Sequence, residues 1–527
     1  MTSCQKTACL PLLVGGLLLT TCSVRSGKTV LPSDYTRVHQ PPRIAPDYSD
    51  IVIPPNIAPL NFVIHEPAEQ HIVHFHADHG EPVTVATKNM QVRIPIKPWK
   101  KLLNSNRGQQ ITLDIYSKMK NGAWNRFPPL HLDVAEEKID AYISYRLLEP
   151  QFKFYDEMGL YQRNLENFKE TCFLHNRVTG ENCMNCHTFY KNQTGTMIFH
   201  MRSGPASGTM LIQDGSIRKI NTATKFNKAG AYASWHPDGH LIAFSVNQLR
   251  EFFHAKGACR DVIDMKSDLI LYDIQSNQIT TCPMISDPHR METFPHWSPD
   301  GKYLYYCSAP EFKSFFKEDG DLAYDKIRYD LMCIPYHQQT GQFGDPVLVI
   351  SSEKAKKSIS IPRISPDGRY LLFCMSNYGS FPIYRPDSDL YVLDLETGRV
   401  HKPDINSDHA TDSYHSWSSN SRWVVFSSKR ENPLCARPFI SYVDENGKFH
   451  KPFLVPQKDP AFYRTYMMTY NVPEFSRDPV RFSWQKLTRI AFDNDKTIGA
   501  QLDPRIPLDG TTEATPETET WKQKPPE

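Results

Sequence analysis

The amino-acid sequence predicts an all-β protein: a β-propeller with five blades visible and a sixth expected, preceded by a small β-sandwich. Two observations carry this. One hairpin pattern recurs through the second half of the chain, and short strand-like segments separated by turn signals fill residues 50–150.

The recurring pattern is Ser234-Trp235-His236-Pro237-Asp238-Gly239 followed by Leu241-Ile242-Ala243-Phe244. It returns as His296-Trp297-Ser298-Pro299-Asp300-Gly301 before Tyr303–Tyr306, and as Arg363-Ile364-Ser365-Pro366-Asp367-Gly368 before Tyr370–Phe373. A fourth copy, Ser416-Trp417-Ser418-Ser419-Asn420-Ser421 before Trp423–Phe426, lacks Pro and Gly but keeps the frame. Pro presets φ for a turn, Asp bonds the local backbone, and Gly accepts the positive φ that redirects the chain. Each copy leads into a third strand such as Asp389–Asp394, then a turn at Glu396-Thr397-Gly398 and a fourth strand. Four strands per repeat make a propeller blade. An earlier copy is read at Gly195–His200 with Gly208–Ile212 as its third strand, which sets His187 level with Ala231, Thr293, Ser360 and Ser413. The segment around Ala461–Phe475, with a strand from before residue 180, is the candidate for the sixth blade. The repeats resemble the TolB-like propeller family, whose turn signature is Ser-Pro-Asp-Gly. The resemblance covers roughly residues 180–457 and implies a fold, since propellers host enzymes and binding platforms alike.

The remaining boundaries follow from composition. Residues 1–21 read as an export signal, with Lys6 ahead of the apolar run Leu10–Leu19. Leu19-Thr20-Thr21-Cys22 resembles a bacterial lipobox and implies acylation of Cys22. Thr21 departs from the usual small residue there, which leaves ordinary cleavage or an uncleaved anchor as alternatives. The Pro-rich stretch 22–49 is expected to be an extended tether, and residues 50–150 the sandwich. Within it, Pro95 confines its strand to a sheet edge. Met158, Tyr161, Leu165 and Phe168 are spaced for one helical face, so 151–182 is read as a helical connector. The propeller then runs over 183–500, and the Thr/Glu/Pro-rich tail 501–527 is expected to be disordered.

Chemistry concentrates at Cys183-Met184-Asn185-Cys186-His187, the c-type haem attachment pattern. It predicts one covalent haem c, held by thioethers from Cys183 and Cys186 with His187 as the proximal iron ligand. A thioredoxin-like pair wants a βαβ setting that is missing, and half a zinc site wants a second pair nearby. The sixth iron position stays open among His200, His175, Met197 or Met201, and no protein ligand at all. Arg163, Arg177 and Arg202 are candidates for the haem propionates, because guanidinium groups match carboxylates bidentately. The other seven mature-body cysteines are scattered, and Cys307 and Cys374 sit in apolar strand patterns that suit small buried hydrophobes. His74 and His76 share one strand face and His71 and His79 the other, which reads as a polar face more readily than a metal site. Asp238, Asp300 and Asp367 are turn residues by position, and no Gly-x-Ser-x-Gly elbow occurs.

Sixty Lys+Arg against 58 Asp+Glu give a charge of +2 with no basic stripe, which argues against nucleic-acid binding. Three functions remain in order: an exported mono-haem cytochrome in electron transfer with a protein redox partner, a scaffold lipoprotein whose haem is structural or sensory, and a haem peroxidase. Its expected place is the periplasm or the outer membrane, through a lipid anchor.

Overall fold

The computed structural model describes residues 29–150, 157–254, 260–312 and 323–506. The export signal, Cys22 and the chain beyond residue 506 lie outside them.

The chain is all-β. Six antiparallel sheets, each with a four-strand core, follow one another around a ring. Blade 1 runs from its inner strand outward as Cys183–Tyr190, Gln193–Arg202, Gly208–Gln213 and Ser216–Asn221. Blades 2 to 5 begin with the inner strands Ala231–Trp235, Arg290–Trp297, Ser358–Ile364 and Asp412–Trp417. Blade 6 takes its inner strand, Thr469–Ser476, from the C-terminal part and its outer three, Tyr142–Leu148, Met158–Asn164 and Glu170–His175, from before residue 180. Each inner strand touches the next, and Thr469–Ser476 touches Cys183–Tyr190, so the ring closes.

The repeated turns are built as their residues require. Gly239, Gly301 and Gly368 have φ of 84°, 72° and 80°, and Ser421 stands in at 61°. Asp238, Asp300, Asp367 and Asn420 each accept from the backbone N–H two residues on, at 3.0–3.2 Å. These side-chain oxygens serve the turns, as their positions predict.

Several boundaries differ from the expectation. The 151–182 connector holds the strands Met158–Asn164 and Glu170–His175 in place of a helix, because Met158–Asn164 lies between two strands with apolar residues on both faces, which blurs the period of two. Tyr142–Leu148 belongs to blade 6 and not to the sandwich. Within 22–49, Thr36–Arg37 and Ile44–Ala45 join the two N-terminal sheets. These sheets, of seven and three strands, pack with the helix Ile96–Ser105. Pro95 is the N-cap of that helix, not a sheet-edge residue, and Trp99, Leu102 and Leu103 bury its inner face. Their core runs on without a break into Trp423, Ile440, Phe453 and Tyr470 of the propeller, so the two parts share one interior. At the other end, Ile498–Gly499 and Gln501–Leu502 add parallel strands to the outer edges of blades 1 and 2, which places the start of the tail in a sheet. A helix at Trp484–Phe492, capped by Ser483, precedes them.

Candidate functional site

Each inner strand carries the same irregularity. In blades 2 to 6 one residue takes a left-handed φ: Tyr232 50°, Phe294 52°, Ile361 53°, Tyr414 37° and Val472 48°. Left-handed φ is costly for such residues and persists where the surroundings enforce it. The strand bulges there, so one or two residues go unpaired opposite the second strand. In blade 1 the bulge holds Cys186 and His187, between the pairs Asn185 with His200 and Thr188 with Ile198.

This register stacks the channel in levels. Tyr232, Phe294, Ile361, Tyr414 and Val472 form an apolar ring that joins a single hydrophobic cluster. Cys186 holds the equivalent register position in blade 1. Two residues on, Thr188, Ser234, His296, Arg363, Ser416 and Glu474, one from each blade, form a polar belt. All six line a cavity of about 500 Å³ on the propeller axis, and the ring of apolar residues borders it on one side. Several belt side chains tie one blade to the next. Ser234 Oγ accepts from Trp297 N–H at 3.2 Å, Ser416 Oγ from Phe475 N–H at 3.3 Å, and Glu474 Oε1 from Phe189 N–H at 3.0 Å.

His187 sits at the edge of this cavity, in the seam between blades 1 and 6. Its side chain is wholly buried, with the Ser144 backbone as its polar neighbour and no side-chain hydrogen bond to either ring nitrogen. Glu474 Oε2 lies 4.0 Å from Nε2. Burial and the Arg146 charge bring the imidazole pKa down to about 4, so the ring is neutral. Burial pushes the Glu474 carboxyl up to about 8, against the Phe189 N–H and the Arg363 charge. Arg146 Nη1 donates to the Met184 carbonyl at 2.7 Å, inside the Cys-x-x-Cys-His segment. Cys183 is half-buried and pairs with Arg202 across the sheet.

The distal candidates lie elsewhere. His200 hydrogen-bonds Thr209 Oγ1 at 2.9 Å and does not fill the slot of Phe244, Tyr306, Phe373 and Phe426; Phe199 does. The two-residue offset arises because blade 1 turns at Lys191 and Asn192, with φ of 49° and 58°, and not at Gly195. Asn185, not His187, is therefore level with Ala231, Thr293, Ser360 and Ser413. His175 pairs with Glu157 at 3.2 Å on the outer strand of blade 6. Met197 and Met201 are packed into the core under blade 1. Of the arginines, Arg163 holds Gln457 and the Pro456 carbonyl, and Arg177 holds Glu157. Of these three candidates Arg202 is the one beside the motif, paired with Cys183 across the sheet, its guanidinium 5.8 Å from the Tyr232 ring.

His71 bonds Ser117, His74 bonds Thr84, and His76 pairs with Asp114 at 3.1 Å; His79 contributes its backbone to Asn106. Among the described residues no group of three or more His, Cys, Asp or Glu could hold a metal ion, and Cys172, Cys183, Cys282, Cys307, Cys333, Cys374 and Cys435 are free thiols. The sequence reading missed the belt. Its signal was present as the residue two places before each turn Ser or His, but it surfaces only once the bulge fixes which residues face the axis.

No protein-family model and no curated protein matches the chain. Among solved structures it is similar to oligogalacturonate lyase from Vibrio parahaemolyticus, at 15% identity and TM-score 0.31, over 58% of this chain and 92% of that one. It is similar to prolyl oligopeptidase B from Galerina marginata at 12% and 0.34, over 65% and 42%. It is similar to a Synechocystis apocarotenoid oxygenase mutant at 12% and 0.37, over 80% and 94%. These are similarities of propeller-like architecture alone.

Proposed function

We propose that the chain is an exported mono-haem c-type cytochrome on a TolB-like propeller scaffold, anchored through Cys22 and exchanging electrons with a protein partner. The observation that supports this most is His187. It directly follows two cysteines in the attachment spacing, and it is a neutral, buried imidazole that no other side chain hydrogen-bonds, with the Ser144 backbone as its polar neighbour. A buried polar group short of partners costs about 1–3 kcal/mol, which a bond to iron would offset.

Cys183 and Cys186 would carry the porphyrin and His187 its iron; the group supplies a one-electron couple. The chain's own part is positional. Arg146 fixes the Met184 carbonyl, so the segment between the two cysteines is held to blade 6. Arg202, opposite Cys183 in the sheet, remains the candidate for a propionate. A second reading, a scaffold that binds a ligand and senses it, draws on the axial cavity.

The test is the mature protein, made with its export signal alongside a haem-attachment system. An intact mass one haem heavier, retained after denaturation and lost in Cys183→Ser/Cys186→Ser, supports the proposal. Bare thiols in the mature chain would remove it.

A further inference from the structure

The axial cavity, which His187 borders at one edge, carries a polar belt contributed by all six blades. We infer that the polar belt is a binding site for a small hydroxylated carboxylate of the sugar-acid kind, with Arg363 as its anchor.

Charge is the first argument. Among the described residues lining the cavity, Lys191, Arg363 and Arg477 are cations and Glu474 is the only carboxyl group. The excess is positive whatever the state of Glu474, so an anion is favoured over a cation. Arg363 stands at belt level, deeper than the two rim cations, with its Nη1 on the Pro362 carbonyl at 2.9 Å, and its fixed positive charge attracts a carboxylate.

The polar lining is the second argument. Thr188, Ser234, His296 and Ser416 stand at the same level as Arg363 around the cavity. The Ser234 and Ser416 oxygens, which accept from backbone, keep their own protons to donate. Several polar contacts around one cation suit a polyhydroxy acid better than a simple fatty acid.

Shape is the third. The ring containing Tyr232, Phe294 and Tyr414 gives the cavity an apolar floor for the carbon face of such a ligand, and about 500 Å³ is ample for one small molecule.

The test is calorimetric titration of gluconate, with glucose and glucosamine as the uncharged and cationic comparisons, into the full mature chain. Haem content is measured on the same sample, so loss of the haem reading and loss of this one are told apart. Gluconate is expected to saturate one site per chain, with glucose and glucosamine much weaker. Arg363→Gln should weaken gluconate by roughly tenfold or more, and Arg363→Lys, which keeps the charge, should recover part of it. Melting temperatures of both variants check that they are folded. No saturation by gluconate, glucosamine binding as well as gluconate, or full affinity in folded Arg363→Gln would each overturn the inference.

Discussion

Glu474 of the last inner strand faces His187 of the first blade across the seam that closes the ring, its Oε2 4.0 Å from Nε2 and its Oε1 accepting the Phe189 N–H. One carboxyl group thus ties the C-terminal strand to the strand that carries the cysteine motif. Glu474→Ala removes the acceptor and leaves a buried N–H unpaired, at a cost of about 1–3 kcal/mol. Glu474→Gln keeps an acceptor of the same reach. The alanine variant is expected to lower the urea midpoint clearly and the glutamine variant to leave it near that of the parent.

Glu292 gives the stability a pH dependence. It is 2% exposed, its Oε2 has no partner, and burial together with Asp268 and Asp287 pushes its pKa up to about 8. The unfolded chain releases this proton near the ordinary glutamate value, while the folded chain holds it until about 8. Between those values the unfolded state binds fewer protons, so stability falls as pH rises across the window and levels off above it. The change is on the order of a few kcal/mol. Glu292→Gln should flatten this slope in chemical unfolding between acid and mildly alkaline pH; an unaltered slope would assign it to other groups.

Two turn glycines separate backbone strain from crowding. Gly301 and Gly368 both need positive φ, but a Cβ on Gly301 would stand 2.5 Å from His236 Nε2, whereas one on Gly368 meets nothing within 4 Å. Gly368→Ala is expected to cost about 1 kcal/mol from φ alone. Gly301→Ala should cost more, because His236 is also bonded to the Gly301 carbonyl at 3.0 Å. Equal melting temperatures in the two variants would contradict this.

Ending the chain after Met468 removes the inner strand of blade 6 and leaves Tyr142–Leu148 as an open edge. Such a chain is expected to lose cooperative unfolding and to be cut rapidly by protease. A sharp single transition would mean that five blades stand without the sixth.

The repeat was legible because Pro, Asp and Gly are each demanded by the turn itself, and the sixth blade because only a segment near 461–475 could complete it. What the sequence did not disclose follows from register. Gly195 resembles the turn glycines, yet Lys191 and Asn192 make the turn in blade 1 by adopting positive φ without glycine, and that moves His187 and His200 by two places. Met158–Asn164 looks helical because both its faces are buried, whereas periodicity is informative only when one face meets water. Arg363, His296 and Glu474 are unremarkable along the chain, far apart and of different types. The closed ring alone brings them to one level.

The way the ring is fastened also sets an order of events as the protein is made. Residues 469–476 emerge from synthesis almost three hundred residues after the cysteine motif, and until they dock the imidazole at 187 has no wall on that side. Any enzyme that must reach Cys183 and Cys186 has that interval in which to act, and the arrival of the final strand shuts the door behind it.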